Sequence, residues 1–96
     1  MAKRVHVLVY GRVQGVSFRR RTAEAARHAG IAGWVRNLAN GSVEAVFEGG
    51  EKAVEQMLDF CRSGPVGAKV EKLVVHEEIY IGKLQKFVIS YQLGSR

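Results

Sequence analysis

Apolar and polar positions change period along this chain, and the changes mark its elements. Residues 4–10 alternate, with Val5, Val7 and Val9 on one side and His6, Leu8 and Tyr10 on the other. An apolar set opposite a mixed set predicts a central strand buried mainly on one face. From residue 19 to 29 the period becomes helical. Phe18, Thr22, Ala25, Ala26 and Ala29 recur on one side, while Glu24, Arg27 and His28 fall elsewhere. That is an amphipathic helix whose small alanines suit close approach to a sheet. Gly30 is placed to end it as a left-handed C-cap.

Residues 31–37 predict a second strand, and Asn40-Gly41 signals a hairpin. Residues 42–48 alternate again, with Val43, Ala45 and Phe47 opposed to Glu44, Val46 and Glu48. Gly49-Gly50 is expected to break that third strand. Residues 51–62 carry Val54, Met57, Leu58 and Cys61 on one stripe, which predicts a second helix. Acidic Glu51 suits its N-terminus, and Ser63-Gly64-Pro65 stops it. Residues 68–78 read as a fourth, poorly alternating strand, and 79–86 as a loop. Phe87, Ile89 and Tyr91 alternate in a last short strand.

The order strand, helix, strand, strand, helix, strand predicts an α+β sandwich of the ferredoxin-like βαββαβ kind. The expectation is one domain over residues 1–96. It has an antiparallel sheet of four main strands and a short fifth, with two helices on one face. Right-handed crossovers leave few other compact solutions. Many functions share this fold, so the order alone names none.

Composition narrows the picture. The chain has 96 residues, 47% of them hydrophobic and 25% charged, and a single proline. That is ordinary for one globular domain. No apolar run approaches the roughly 20 residues of a membrane span. The start, Met-Ala-Lys-Arg, passes straight into a strand pattern, so no signal peptide is expected. Cys61 stands alone and cannot form an intrachain disulfide, which fits a cytoplasmic setting. One cysteine and three scattered histidines argue against a dedicated zinc site. The charge of +6 favours anions without choosing among nucleic acid, phosphorylated metabolites and acidic surfaces.

Candidate chemistry lies in residues 11–19, Gly-Arg-Val-Gln-Gly-Val-Ser-Phe-Arg, between a strand and a helix. Glycines let a loop turn tightly enough for several N–H groups to meet at one spot. A helix N-terminus adds unsatisfied donors and partial positive charge. Arg19 supplies a guanidinium whose fork matches a phosphate. Two readings stand at this point: a phosphate cradle, or a tight turn with surface arginines. Successive helix positions lie about 100° apart, so at most one or two of Arg19, Arg20 and Arg21 can face the loop. Asn37, at the end of the second strand, can accept from a water and donate to an anion at once. Taken alone, it reads equally as a residue that ends a strand. Trp34, Tyr10, Phe47 and Phe87 read as core or half-buried sheet residues, Cys61 as a small core residue, and the three histidines as structural.

Residues 11–19 together with Gly33-Trp34-Val35-Arg36-Asn37-Leu38-Ala39-Asn40-Gly41-Ser42-Val43-Glu44 resemble the two signatures of the acylphosphatase family. The resemblance extends over residues 4–91 and takes in Gly64-Pro65, Ala68, Val70 and Phe87-Val88-Ile89. It implies a small ferredoxin-like sandwich that hydrolyses the carboxyl–phosphate bond of acyl phosphates. By position in the motifs, Arg19 matches the arginine that binds the phosphate. Asn37 matches the asparagine that positions the attacking water. The amides of Gln14, Gly15, Val16, Ser17 and Phe18 match the phosphate-binding loop. The resemblance also implies no metal and no organic cofactor. The partners expected are a small-molecule acyl phosphate, no specific nucleic acid and no membrane, for a monomer.

Family members commonly carry glycine where this chain has Ser17. A serine there can cap the helix or add a donor, but a requirement for positive φ would penalise it. The Arg20-Arg21 pair adds attraction for an anion. Two alternatives stand beside the hydrolase. One is a catalytically silent phosphate-binding domain. The other is an RNA-binding module, for which no stretch carries an RNP1-type motif.

Overall fold

The computed structural model describes residues 1–94. The chain forms β1 (Ala2–Arg12), α1 (Phe18–His28), β2 (Ala32–Asn37), β3 (Val43–Gly50), α2 (Glu51–Ser63), β4 (Lys69–Glu78) and β5 (Phe87–Ile89). The sheet order is β4-β1-β3-β2-β5. β1 is antiparallel to β3 and β4, and β2 is antiparallel to β3. β1 and β2 therefore run parallel with β3 between them, and β3 and β4 run parallel with β1 between them. These are the two interleaved βαβ units that the element order predicts.

The sheet is mixed rather than antiparallel, which corrects the expectation. β5 pairs in parallel with β2, Gly33 facing Phe87 and Val35 facing Ile89. The chain reaches that edge by the 79–86 loop. It then runs on to a further parallel bridge between Leu38 and Gly94. Nor does Gly49-Gly50 break the third strand. Both residues stay in β3, opposite Lys3 and Ala2.

The helices cover one face. Val5, Val7 and Val9 of β1 and Val43, Ala45 and Phe47 of β3 join Phe18, Ala23 and Ala26 of α1 and Val54, Met57, Leu58 and Cys61 of α2 in one core. The α2 stripe is the one read from the sequence. In α1, Ala23 is buried and Ala29 only half-buried, a shift of one helix face toward α1's start. The Gly30 cap forms as expected. Ile31 N donates to Ala26 O at 2.8 Å and Gly30 N to Arg27 O at 3.2 Å, the paired bonds of a Schellman motif.

On the other sheet face the alternating glutamates do not reach solvent. Glu44 and Glu48 are 5% and 2% exposed. His6 Nε2 donates to Glu44 at 2.7 Å, and Arg36 Nε donates to its other oxygen at 2.7 Å. Arg4 links Glu48 at 3.3 Å and Glu78 at 2.9 Å. Long side chains from both neighbouring strands thus roof the carboxylates of β3. Burial raises the pKa of Glu44, but the hydrogen bonds and charges of His6 and Arg36 outweigh it and hold the carboxyl below its ordinary value.

Candidate active site

The predicted cradle and the predicted strand end meet in one cleft. It has a volume of about 370 Å³ and is lined by Val13, Gln14, Gly15, Ser17, Phe18, Arg19, Arg20, Asn37, Ile89 and Tyr91. Small-molecule sites typically span about 300–1,000 Å³. The order of strands makes the meeting possible. The loop after β1 and the end of β2 share one end of the sheet, and β5 closes the side.

Gly15 and Ser17 both take left-handed backbones, with φ of 74° and 61°. Alternating left-handed residues fold the loop into a tight arch, the kind of concavity in which N–H groups converge. A side chain on Gly15 would meet nothing within 4 Å, so it is backbone conformation that calls for glycine there. Ser17 is the one described non-glycine residue with positive φ. It is the N-cap of α1, yet its hydroxyl makes no capping bond, contrary to the role a serine offered. Strain of this sort concentrates at functional sites. Val16 packs its side chain against the core, so only its backbone can take part in the cradle.

The start of α1 is left electropositive. Its first turn holds no acidic residue, whereas α2 opens on Glu51. Arg19 and Arg20 line the cleft. Arg21 turns away toward Glu24 at 3.7 Å, as the helical spacing requires. Among the described residues Arg19 enters no ion pair, in contrast to Arg4, Arg21, Arg36 and Arg62. Its guanidinium carbon lies 5.2 Å from the centre of the Tyr91 ring.

Asn37 ends β2 opposite Val43. Its Oδ1 is buried and meets no donor among the described residues. A buried acceptor left unsatisfied costs about 1–3 kcal/mol. Asn37 is one of the cleft's lining residues, and this buried acceptor lacks a donor from the described residues. Its backbone is fixed on both sides. Gly94 N donates to Asn37 O at 2.9 Å, and Ala39 N to Gly94 O at 2.9 Å.

Gln14 does more than its sequence position announced. Its Nε2 donates to Leu38 O at 2.8 Å and to Ser42 O at 2.9 Å, tying the loop to the hairpin next to Asn37. That hairpin holds its own shape. Gly41 N donates to Leu38 O at 3.1 Å, and Asn40 Oδ1 accepts from Ser42 N at 3.0 Å. The motif read Gln14 as a backbone donor alone. Tyr91 was likewise missed as a site residue, because alternation placed it in the last strand. β5 ends at Ile89, and Tyr91 stands beyond it.

Among the described residues no Asp, Glu, His or Cys lines the cleft. His6 is engaged with Glu44, and His28 and His76 are exposed elsewhere. Burial pushes the Cys61 thiol up to about 12, so it is no nucleophile at neutral pH. A larger groove of about 830 Å³ lies between the helices, among Ala25, Ala29, Met57 and Phe60. Its described lining includes no residue of 11–19 or 33–44. Among the described residues no helix is long and apolar enough to cross a membrane.

Comparison with known proteins bears on the family and the fold. The family model described as Acylphosphatase matches residues 5–89. An acylphosphatase of Syntrophus aciditrophicus is 55% identical over 91 residues, covering 95% of each chain. One of Gloeobacter violaceus is 58% identical over 78 residues, covering 81% of this chain and 84% of its own. Among solved structures, the acylphosphatase from Bacillus subtilis superposes with a TM-score of 0.88 at 34% identity, covering 95% of this chain and all of that one.

Proposed function

The chain belongs to the acylphosphatase family and hydrolyses acyl phosphates, and on that premise we propose that Arg19 and Asn37 divide the work of the reaction. The phosphate lies in the arch of residues 14–18, its oxygens on the loop amides and on the fork of Arg19. Asn37 Oδ1 accepts a hydrogen from the attacking water and so aims the water oxygen at phosphorus. The observation that carries this reading is the presence, in one cleft, of an unpaired guanidinium and a buried acceptor without a donor.

The chemistry needs little else. Phosphoryl transfer is achieved mainly by positioning and by stabilising charge on the equatorial oxygens. The bond from the water oxygen to phosphorus forms as the bond from phosphorus to the acyl oxygen breaks. A carboxylate leaves, and being a weak base it needs no general acid. With no carboxylate or imidazole among the described lining residues, the water's proton goes to a phosphate oxygen of the substrate. An alkyl phosphate, whose alkoxide leaves poorly, is a far worse substrate by the same logic.

The reading places one domain over residues 1–96, working as a single copy on a small molecule in the cytoplasm, without nucleic acid. Hydrolysis of benzoyl phosphate in the presence of chelator tests the site. Arg19→Lys keeps the charge without the fork, and Asn37→Ala removes the acceptor. Loss of a placed transition-state donor costs about 10²–10³ in kcat. Both variants should fall by that order. Full activity in either would overturn the role given to that residue.

A further inference from the structure

The proposed chemistry uses the polar half of the cleft and leaves its other side unexplained. Four of the lining residues are apolar or aromatic: Val13, Phe18, Ile89 and Tyr91. Val13 and Phe18 are 1% and 2% exposed and belong to the core. Ile89 is half-buried, and Tyr91 is 77% exposed. The accessible apolar surface of the cleft is therefore mostly one tyrosine ring with an isoleucine beside it.

Tyr91 is held in place from two directions. Ser90 N donates to Val35 O at 2.8 Å, and Gly94 N to Asn37 O at 2.9 Å, so the backbone is pinned on both sides of residue 91. A side chain on Gly94 would overlap Leu38 and crowd Arg36, a measure of how closely this tail lies on the end of β2. Arg19 rests over the ring. A ring placed beside a cation orients it without consuming its hydrogen-bond donors, which a carboxylate would do. Most of the ring nevertheless stays open to solvent, next to the place where the phosphate lies.

We propose that Tyr91 is the residue that selects the acyl group, its ring and Ile89 forming the wall against which an aromatic or bulky apolar acyl chain lies while Arg19 holds the phosphate. The proposal rests on the assignment of the phosphate to Arg19 and the 14–18 loop. From it follows a preference for aromatic over small acyl groups. A cleft that gripped the phosphate alone would show none. An aromatic contact adds several-fold to roughly tenfold in affinity.

The test compares kcat/KM for benzoyl phosphate and acetyl phosphate in the unmodified protein, Tyr91→Ala and Tyr91→Phe, with inhibition by inorganic phosphate measured alongside. The expected result is a benzoyl-to-acetyl ratio about tenfold lower in Tyr91→Ala and retained in Tyr91→Phe, as an aromatic contact of that size requires. An unchanged ratio in Tyr91→Ala overturns the proposal. So does an equal fall for both substrates accompanied by weaker phosphate inhibition, which would make Tyr91 a support for Arg19 alone. Failure of the underlying site assignment looks different, since Arg19→Lys and Asn37→Ala would then keep their activity whatever Tyr91 does.

Discussion

Arg19 and Arg36 each lie 5.2 Å from the centre of an aromatic ring, Tyr91 for one and Trp34 for the other. There the likeness ends. Arg36 spends its charge on Glu44 at 2.7 Å, and with His6 it keeps a buried carboxylate ionised on the open face of the sheet. Arg19 stands at the mouth of a helix without an acidic first turn and pairs with no described carboxylate. On the sheet face, charge is neutralised within the protein and serves stability. At the cleft no described carboxylate takes it up. Two equal cation–ring contacts therefore report nothing about function until the remaining donors of each arginine are accounted for.

The contrast can be broken at several points. Of the effects on stability, the largest is expected at Arg36. Arg36→Ala leaves Glu44 buried with His6 alone, and a lost hydrogen bond to a buried charge costs about 1.5–3 kcal/mol. Denaturant titration should show that loss, while kcat/KM stays within about threefold because Arg36 does not line the cleft. A similar loss of activity would mean that Arg36 acts on Asn37 through the strand they share.

A smaller effect concerns acid. Glu44 has a folded pKa below its unfolded value. The stability it contributes is therefore complete above the unfolded carboxyl range, about 4.3, and is lost as pH falls through the folded pKa. Glu44→Gln should flatten the decline of stability below about pH 4.5. An unaltered acid limb would show that other carboxylates set it.

The smallest effect is expected at Ser17. Relief of a left-handed serine is offset by the extra freedom of an unfolded glycine. Ser17→Gly should change stability by about 1 kcal/mol or less, in the stabilising direction. KM should stay within about twofold. A large fall in KM would show that the serine distorts the arch.

These regions were not equally legible in the sequence. Both helices and the order of the elements follow from periodicity, which local spacing sets, whereas the pairing of residues 14–19 with Asn37 is implied only by the resemblance of two short motifs to a known family. Glu44 and Glu48 defeat such reasoning. Their alternation is that of an exposed strand face, and only the strands on either side supply the Arg4, His6 and Arg36 that bury them. The parallel placement of β5 was equally hidden, since three residues have too short a pattern to state a direction. Gln14 and Tyr91 act through contacts with residues 24 positions away and more, Leu38 in one case and Arg19 in the other.

The sheet ends in two unequal edges. β5 is three residues long and offers an incoming strand almost no length to pair with. β4 is ten residues long, but along it Lys69, Glu71, Lys72, His76, Glu77 and Glu78 are exposed. Charge and brevity are two ways of discouraging edge-to-edge association. In this chain the short edge is also the one that carries Ile89 into the cleft. The strand that helps line the cleft is thus too short to serve as a template for aggregation.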